Sequence, residues 1–405
     1  MSLKEAMQIA VSSNPEVGQA LENREAVEFE LRQARGLYLP SIDLEASVGV
    51  RQLDSPGRRL TGTDDDELHP ADVGLSITQK LFDGGGRRAE LDTQAARVDS
   101  ASFRVLERSE SIALQVVRDY IELVLQAQIV AESQKNVAFH QDMVSNIGSL
   151  ISSGTLTEAD RQQARERLLS AKARLKEAQE ALEAVKASLN RLLGQPLTKP
   201  SMPPSVAKAL PRSLEAALDI AMRNNPRVHV ANSDIDAADA QVRGARNAYM
   251  PEISAEARVR TGRDIDGSEG RTADGQVRIV ARWNLYRGGI DVANEQEKIR
   301  RASEQRLALH QVYREIEEAV RVSWDRRLKQ MELAGLLREQ SSTNSQLVST
   351  YREQLGIGQR SLLDVLGAQN TRYNVAILAL TADAASRFAE YRVLAATGSL
   401  LKTTC

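Results

Sequence analysis

Very few residues of this chain have types and spacings that could do chemistry. The four histidines, His69, His140, His229 and His310, are scattered one per region, far from the spacing that zinc ligands need. The one cysteine is Cys405, the last residue given, which leaves neither an intrachain disulfide nor a thiol metal site. Gly84-Gly85-Gly86 follows an alternating segment and opens a helical one, as a phosphate-cradling loop would. It lacks the full nucleotide fingerprint and returns as Gly288-Gly289, which favours a plain strand-to-helix turn. The last candidate is a charged turn, Arg360 and Asp364. Alone, it is a solvated i,i+4 pair worth about 0.2–0.5 kcal/mol. Repeated by symmetry around a pore, such charges select ions. No nucleophile, base or metal cluster is visible, so we expect no catalytic residue, no metal, no cofactor and no enzyme. A net charge of −2 gives no sign of a nucleic acid partner.

The elements that must position that turn are written twice. Asn14-Pro15, Tyr38 and Pro40 return as Asn225-Pro226, Tyr249 and Pro251, all 211 positions on. Leu81, Gly84, Gly85, Gly154, Asp160 and Gly194 return as Leu285, Gly288, Gly289, Gly358, Asp364 and Gly398, now 204 positions on. Such self-similarity predicts two copies of one structural unit. The first repeat covers 1–194: a short helix, a second helix opened by Asn14-Pro15, strands at 41–53 and 72–82, a long helix over 87–151 and a further helix over 155–193. A proline-rich linker follows at 195–212. The second repeat covers 213–398, with strands at 252–262 and 275–286 and helices over 290–354 and 361–397, and 399–405 is a C-terminal tail.

Aromatics are only 4% of the chain, the profile of long helices and coiled coils. At 1.5 Å per residue the helix over 87–151 is roughly 100 Å long, nearly the sum of the two shorter helices beside it. Ala164, Leu168, Ala171, Leu175, Ala178, Leu182, Val185, Leu189 and Leu192 alternate spacings of four and three, a heptad seam. The strands alternate too: Ile42, Leu44, Ala46, Val48 and Val50 on one face, with Asp43, Glu45, Ser47 and Arg51 on the other. Their length of about ten residues suits a membrane-spanning strand. A small soluble sheet on a helical domain fits the same alternation. Neither repeat offers an apolar layer to cover such a sheet, however. Four strands cannot close a barrel, because the smallest known have eight, so several chains must contribute. Tyr38, Phe82, Tyr249, Trp283 and Tyr286 sit at strand ends, as interfacial anchors or as packing at the strand–helix junction. No 18-residue apolar stretch exists for a spanning helix, since Arg118, Asp119 and Glu122 interrupt the best candidate. Met1-Ser2-Leu3-Lys4 runs straight into an amphipathic helix with no secretory leader. The chain is then either cytosolic or a mature or engineered form whose signal has been removed.

Leu3-x-x-Ala6, Ala10, Asn14-Pro15, Tyr38-x-Pro40, Leu81-Phe82-Asp83-Gly84-Gly85 and Gly358-Gln359-Arg360-Ser361-Leu362-Leu363-Asp364-Val365-Leu366 together resemble the TolC family of outer-membrane channel proteins. The resemblance covers essentially the whole chain and includes the duplication, and the last motif is most similar to members that serve type I secretion. It implies a mainly α fold with a β-barrel part: long coiled-coil helices and four transmembrane strands per chain, three chains forming a 12-strand barrel and a 12-helix tunnel. It implies an outer-membrane location extending into the periplasm, contact with outer-membrane lipid, a homotrimer, a periplasmic adaptor and an inner-membrane ABC or proton-driven transporter. It also implies a gate at Arg360 and Asp364, and adaptor-docking turns at Gly154, Thr155, Gly356, Gly358, Gln359 and Ser361. The family's second ring acid falls on Gly367 and a constriction tyrosine on Leu355. The closed state should then be held by fewer bonds.

Two readings compete with this export duct. A soluble coiled-coil scaffold would run as an extended dimer without detergent. A periplasmic adaptor would carry one helical hairpin flanked by β-domains, whereas this chain has two hairpin units.

Overall fold

The computed structural model describes residues 1–152, 156–198, 200–267 and 269–404. In chain order the elements are α1 (Leu3–Ser13), α2 (Pro15–Gly36), β1 (Ser41–Val48), β2 (Arg51–Gln52), α3 (Pro56–Thr61), β3 (Glu67–Leu68), β4 (Ala71–Phe82), α4 (Gly86–Ser152) and α5 (Glu158–Leu193). They continue with α6 (Leu214–Asn224), α7 (Pro226–Ala245), β5 (Glu252–Arg263), β6 (Arg271–Arg282), α8 (Ile290–Gly356), α9 (Leu362–Ala396) and α10 (Leu400–Thr404). The duplication is visible in the lengths: α1 and α6 have 11 residues each, and α4 and α8 have 67 each. In both copies the asparagine before the proline caps the second helix. The Glu16 amide donates to Asn14 Oδ1 at 2.9 Å, and the Arg227 amide to Asn225 Oδ1 at 3.0 Å. The chain divides into two compact units, one of 1–22, 102–229 and 310–405, the other of 23–101 and 230–309.

The second unit holds a four-stranded antiparallel sheet in the order β1-β4-β5-β6. The two hairpins therefore join across the repeats through β4 and β5, and β1 and β6 are left as bare edges. Strand ends differ from the sequence expectation for local reasons. Strand 41–53 is split: the Gly49 amide closes on the Pro70 carbonyl at 2.9 Å, and Arg51–Gln52 pairs separately with Glu67–Leu68. The expected strand 275–286 lies earlier, at Arg271–Arg282, and leaves Trp283 to Tyr286 outside. Its last partner is Glu252, and Pro251 before that has no N–H to continue the ladder. Gly84 makes the turn after β4. Its φ is +62, and a Cβ there would lie 2.6 Å from Met250 Cβ. Asp83 takes the turn's amides, accepting from Gly85 at 3.3 Å and Arg87 at 2.7 Å. The amides that a phosphate would use are thus occupied by the chain's own carboxylate.

The helical parts of this second unit bury alanine almost throughout: Ala34, Ala89, Ala96, Ala237, Ala240 and Ala302. Small side chains bring the helices close, and polar links tie them, such as Ser100 to Asp234 at 2.7 Å and Arg243 to Asp92 at 3.1 Å.

The first unit is built on larger side chains. Leu3, Met7, Ile112, Val116, Tyr120, Leu189, Leu192, Val393, Leu394 and Leu400 form one core. Buried Leu and Ile side chains of this kind are worth about 1.5–3 kcal/mol each. The heptad seam of α5 faces inward: Ala164, Leu168, Ala171, Ala178, Leu189 and Leu192 are buried, and Leu175, Leu182 and Val185 are half-buried. The linker at 195–212 is a clamped strap. Glu390 accepts from Ser205 Oγ at 2.7 Å and the Val206 amide at 2.8 Å, and Tyr391 Oη donates to the Pro204 carbonyl at 3.0 Å. Within the expected tail at 399–405, Leu400–Thr404 form the helix α10, with Leu400 fully buried and the Leu401 amide held by Glu110 Oε1 at 3.0 Å. Burial raises the Glu110 carboxyl above its ordinary range, against the backbone bonds that favour its charge. No helix among the described residues is long and apolar enough to cross a membrane.

Candidate functional site: a two-faced sheet and a helical turn

Register decides what each face of the sheet carries. Ile42 lies opposite Ile77, Ile77 opposite Ala257, and Ala257 opposite Val277. The next tier on the same face is Leu44, Leu75, Val259 and Gly275, and then Ala46, Val73, Thr261 and Ala273. Most of these side chains are exposed, Val277 being 84% and Leu44 73% accessible, while Ala257 and Thr261 are half-buried. The opposite face of the same strands is ionic. Arg260 donates to Asp72 at 2.9 Å, Arg278 and Arg282 converge on Glu256 at 2.7 and 3.3 Å, and Lys80 reaches Glu252 at 3.3 Å. One face suits hydrocarbon and the other water, the alternation of a membrane barrel strand. From Ile253 to Arg263 is about 33 Å of strand. At a tilt near 40° that gives about 25 Å of height, the apolar band of an outer-membrane barrel.

At the helix end of the sheet sit the expected aromatics. Trp283 donates to the Tyr249 carbonyl at 3.2 Å, Tyr249 Oη donates to Glu295 at 3.0 Å, and Arg87 lies over the Tyr38 ring at 4.8 Å. Trp283 and Tyr286 stay mostly exposed, and Phe82 somewhat less than half. Tyr38, Tyr249 and Trp283 thus tie the strand–helix junction, as the packing alternative expects.

The turn between α8 and α9 lies in the other unit. Gly358 takes φ +74 there and its amide donates to the Leu355 carbonyl, while the Gln359 amide donates to Gln354. Ser361 caps α9, its Oγ accepting from the Asp364 amide at 3.1 Å, and Asp364 Oδ2 accepts from Ser361 Oγ at 2.8 Å. Asp160 does the same for Thr157 at the start of α5. Arg360 and Asp364 are not brought together. Arg360 lies over the Tyr351 ring at 4.3 Å and donates to Gln354 Oε1 at 3.0 Å, both on α8. Of the other turn residues, Gly356 ends α8, while Gly154 and Thr155 lie outside the described residues. Leu355 is buried beside Leu362, Val365, Leu366, Met143 and Ile147.

The link between helices near this turn comes from residues that the sequence reading did not single out. Arg352 on α8 pairs with Asp142 on α4 and lies 5.8 Å from the Phe139 ring. No local pattern could have revealed it, because 210 positions separate the partners. Above it, α4 and α9 share a polar layer: Ser133 with Tyr373 at 2.8 Å, Asn136 with Gln369 at 2.8 Å, and Glu132 with Arg372 at 2.7 Å. His140 closes this layer, 3% exposed and with Nδ1 unpartnered among the described residues. Burial, then the nearby charges of Arg167 and Arg174, lower its pKa to about 4. Apart from that nitrogen the layer is a set of matched bonds, with no metal-ligating cluster among the described residues.

The sequence profile of the outer membrane efflux protein family matches residues 6–195 and 217–399. The outer membrane efflux protein BepC of Brucella suis is 24% identical over 370 residues, covering 91% of this chain and 78% of its own. The alkaline protease secretion protein AprF of Pseudomonas aeruginosa is 24% identical over 388 residues, covering 92% of this chain and 79% of its own. The solved structure of CusC superposes with a TM-score of 0.85 at 16% identity, covering 98% of this chain and 92% of that one, a likeness of fold. A profile matching both repeats, a sheet with an apolar face and an ionic face, and two 67-residue helices lead to one conclusion: the chain belongs to the outer membrane efflux protein family, channels rather than enzymes, which lie in the outer membrane and extend into the periplasm.

Proposed function

We propose that three copies of this chain close into a 12-strand barrel and a 12-helix tunnel, the exit duct of a tripartite export system. The observation that carries this is the four-stranded sheet with one exposed apolar face, one charged face and two bare edges. Edges in hydrocarbon must be paired. Two copies would make eight strands, a barrel just wide enough for its own side chains to fill. The arginines and glutamates of the charged face would then block it, so three copies are the smallest open assembly. An adaptor docks at the turns that include Gly356, Gly358, Gln359 and Ser361, and an inner-membrane transporter supplies the energy.

Within that role we favour type I protein secretion over drug efflux. The Gly358–Leu366 motif supports it, as does the alkaline protease secretion protein among the relatives, although an efflux protein stands beside it. Asp364, three times repeated, would give the tip its acidic ring, and Arg352 with Asp142 would hold α8 to α4 in the closed state. A channel-deficient strain carrying either an ABC transporter with its adaptor, or a proton-driven drug pump with its own, separates the two readings. Restored export of a protein cargo through the ABC system is the expected result. Restored drug resistance alone would assign the chain to efflux.

A further inference from the structure

The loop end of the sheet's apolar face carries two arginines where hydrocarbon-facing residues would continue. Arg263 on β5 and Arg271 on β6 are direct register partners and follow Thr261 and Ala273 on that face. Like charges directly opposite each other destabilise a strand pair unless something answers them. Of the hairpin's own acids, Asp264 answers Arg263 at long range, and the others are engaged elsewhere. Asp264 accepts the Gly270 amide at 2.8 Å and lies 3.8 Å from Arg263 Nε, Asp266 accepts from Arg260 at 3.2 Å, and Glu269 sits 3.7 Å from Arg58. Arg271 is exposed and is not a partner in any of the ion pairs of this hairpin, Arg263–Asp264, Arg260–Asp266 and Arg58–Glu269. The other end of the sheet is finished differently, with Trp283 and Tyr286. Snorkelling alone would treat both ends alike.

We propose that Arg263 and Arg271 form a binding site for the phosphate groups of membrane lipid in the outer leaflet. The inference rests on the lipid-facing reading of the apolar surface and names the lipid chemistry that meets its outer rim. Two guanidinium forks on neighbouring strands, about 5 Å apart at the backbone, match phosphate oxygens bidentately. Lipid phosphates lie where the apolar band ends. There an arginine escapes most of the penalty it would meet at mid-membrane. Three copies would place three such pairs around the rim.

The test uses the full-length assembly in detergent, incubated with a bisphosphorylated acylated glucosamine disaccharide lipid or with its dephosphorylated form. Lipid retained through purification is counted by native mass spectrometry. The wild type should retain the phosphorylated lipid preferentially, and millimolar inorganic phosphate should not displace it. The Arg263→Gln/Arg271→Gln double variant should lose about tenfold or more in retention, from two basic side chains near a lipid surface. Arg258→Gln, on the opposite face of β5, should retain lipid as the wild type does. Equal retention of the dephosphorylated lipid, undiminished retention by the double variant, or displacement by free phosphate would each overturn the proposal. A wild type that inserts into vesicles but ignores headgroups would refute this site alone. One that never inserts would refute the lipid-facing reading beneath it.

Discussion

Val277→Arg tests the two-faced sheet most sharply. Val277 is 84% exposed within one chain and lies in the tier of Ile42, Ile77 and Ala257, near the middle of the apolar band. On a soluble protein, a substitution at so exposed a side chain changes stability by about 0.5 kcal/mol or less. At the mid-plane of a bilayer an arginine costs about 2–4 kcal/mol. Three copies in one barrel raise that to roughly 6–12 kcal/mol per assembly. Ser76→Arg is the matched control. It sits one residue from Ile77 but on the ionic face, between Asp43 and Arg258, and should shift stability by about 1 kcal/mol or less. Both variants are refolded into vesicles, and the fraction inserted is followed by protease protection across a denaturant series. The midpoint for Val277→Arg should fall sharply while that for Ser76→Arg stays near wild type. Equal midpoints for the two would refute the assignment of the apolar face to lipid.

The helical unit should lose stability as pH falls from about 6.5 to about 4, because His140 is held neutral with a pKa of about 4 while the unfolded chain binds its proton first. By denaturant titration the loss should reach about 2 kcal/mol at pH 5, and His140→Gln should remove that slope. Arg352→Gln and Asp142→Asn should each raise the conductance of the channel in planar bilayers, and the double variant should add little to either, since both break one link. Their effect on stability should stay under about 1 kcal/mol, because the pair is half exposed. Asp364→Asn should lower cation preference and block by multivalent cations, and unaltered block would leave Asp364 its capping role only.

Much of this architecture is legible in the residues, because its signals are local. Asn14-Pro15 and Asn225-Pro226 announce helix starts, alternation from Ile42 to Val48 announces a strand, and the four-three spacing of α5 announces its buried seam. What escaped depends on partners far away in sequence. The phase of β6 follows from Pro251 ending the ladder opposite it. The helix α10 forms because Glu110 holds its Leu401 amide. The joining of the two repeats into one sheet needs β4 to meet β5, which no alternation within either strand specifies. At the turn, Arg360 and Asp364 have the spacing of a pair, yet Tyr351 and Ser361 offer nearer partners. The link that does join helices, Arg352 with Asp142, looks in sequence like two ordinary surface charges.

Chain stoichiometry tests the central claim most directly. Native mass spectrometry of the detergent-solubilised protein should give three chains, stable until the sheet itself denatures. A stable monomer or dimer that needs no detergent would contradict closure of the barrel across copies, and with it the exit duct.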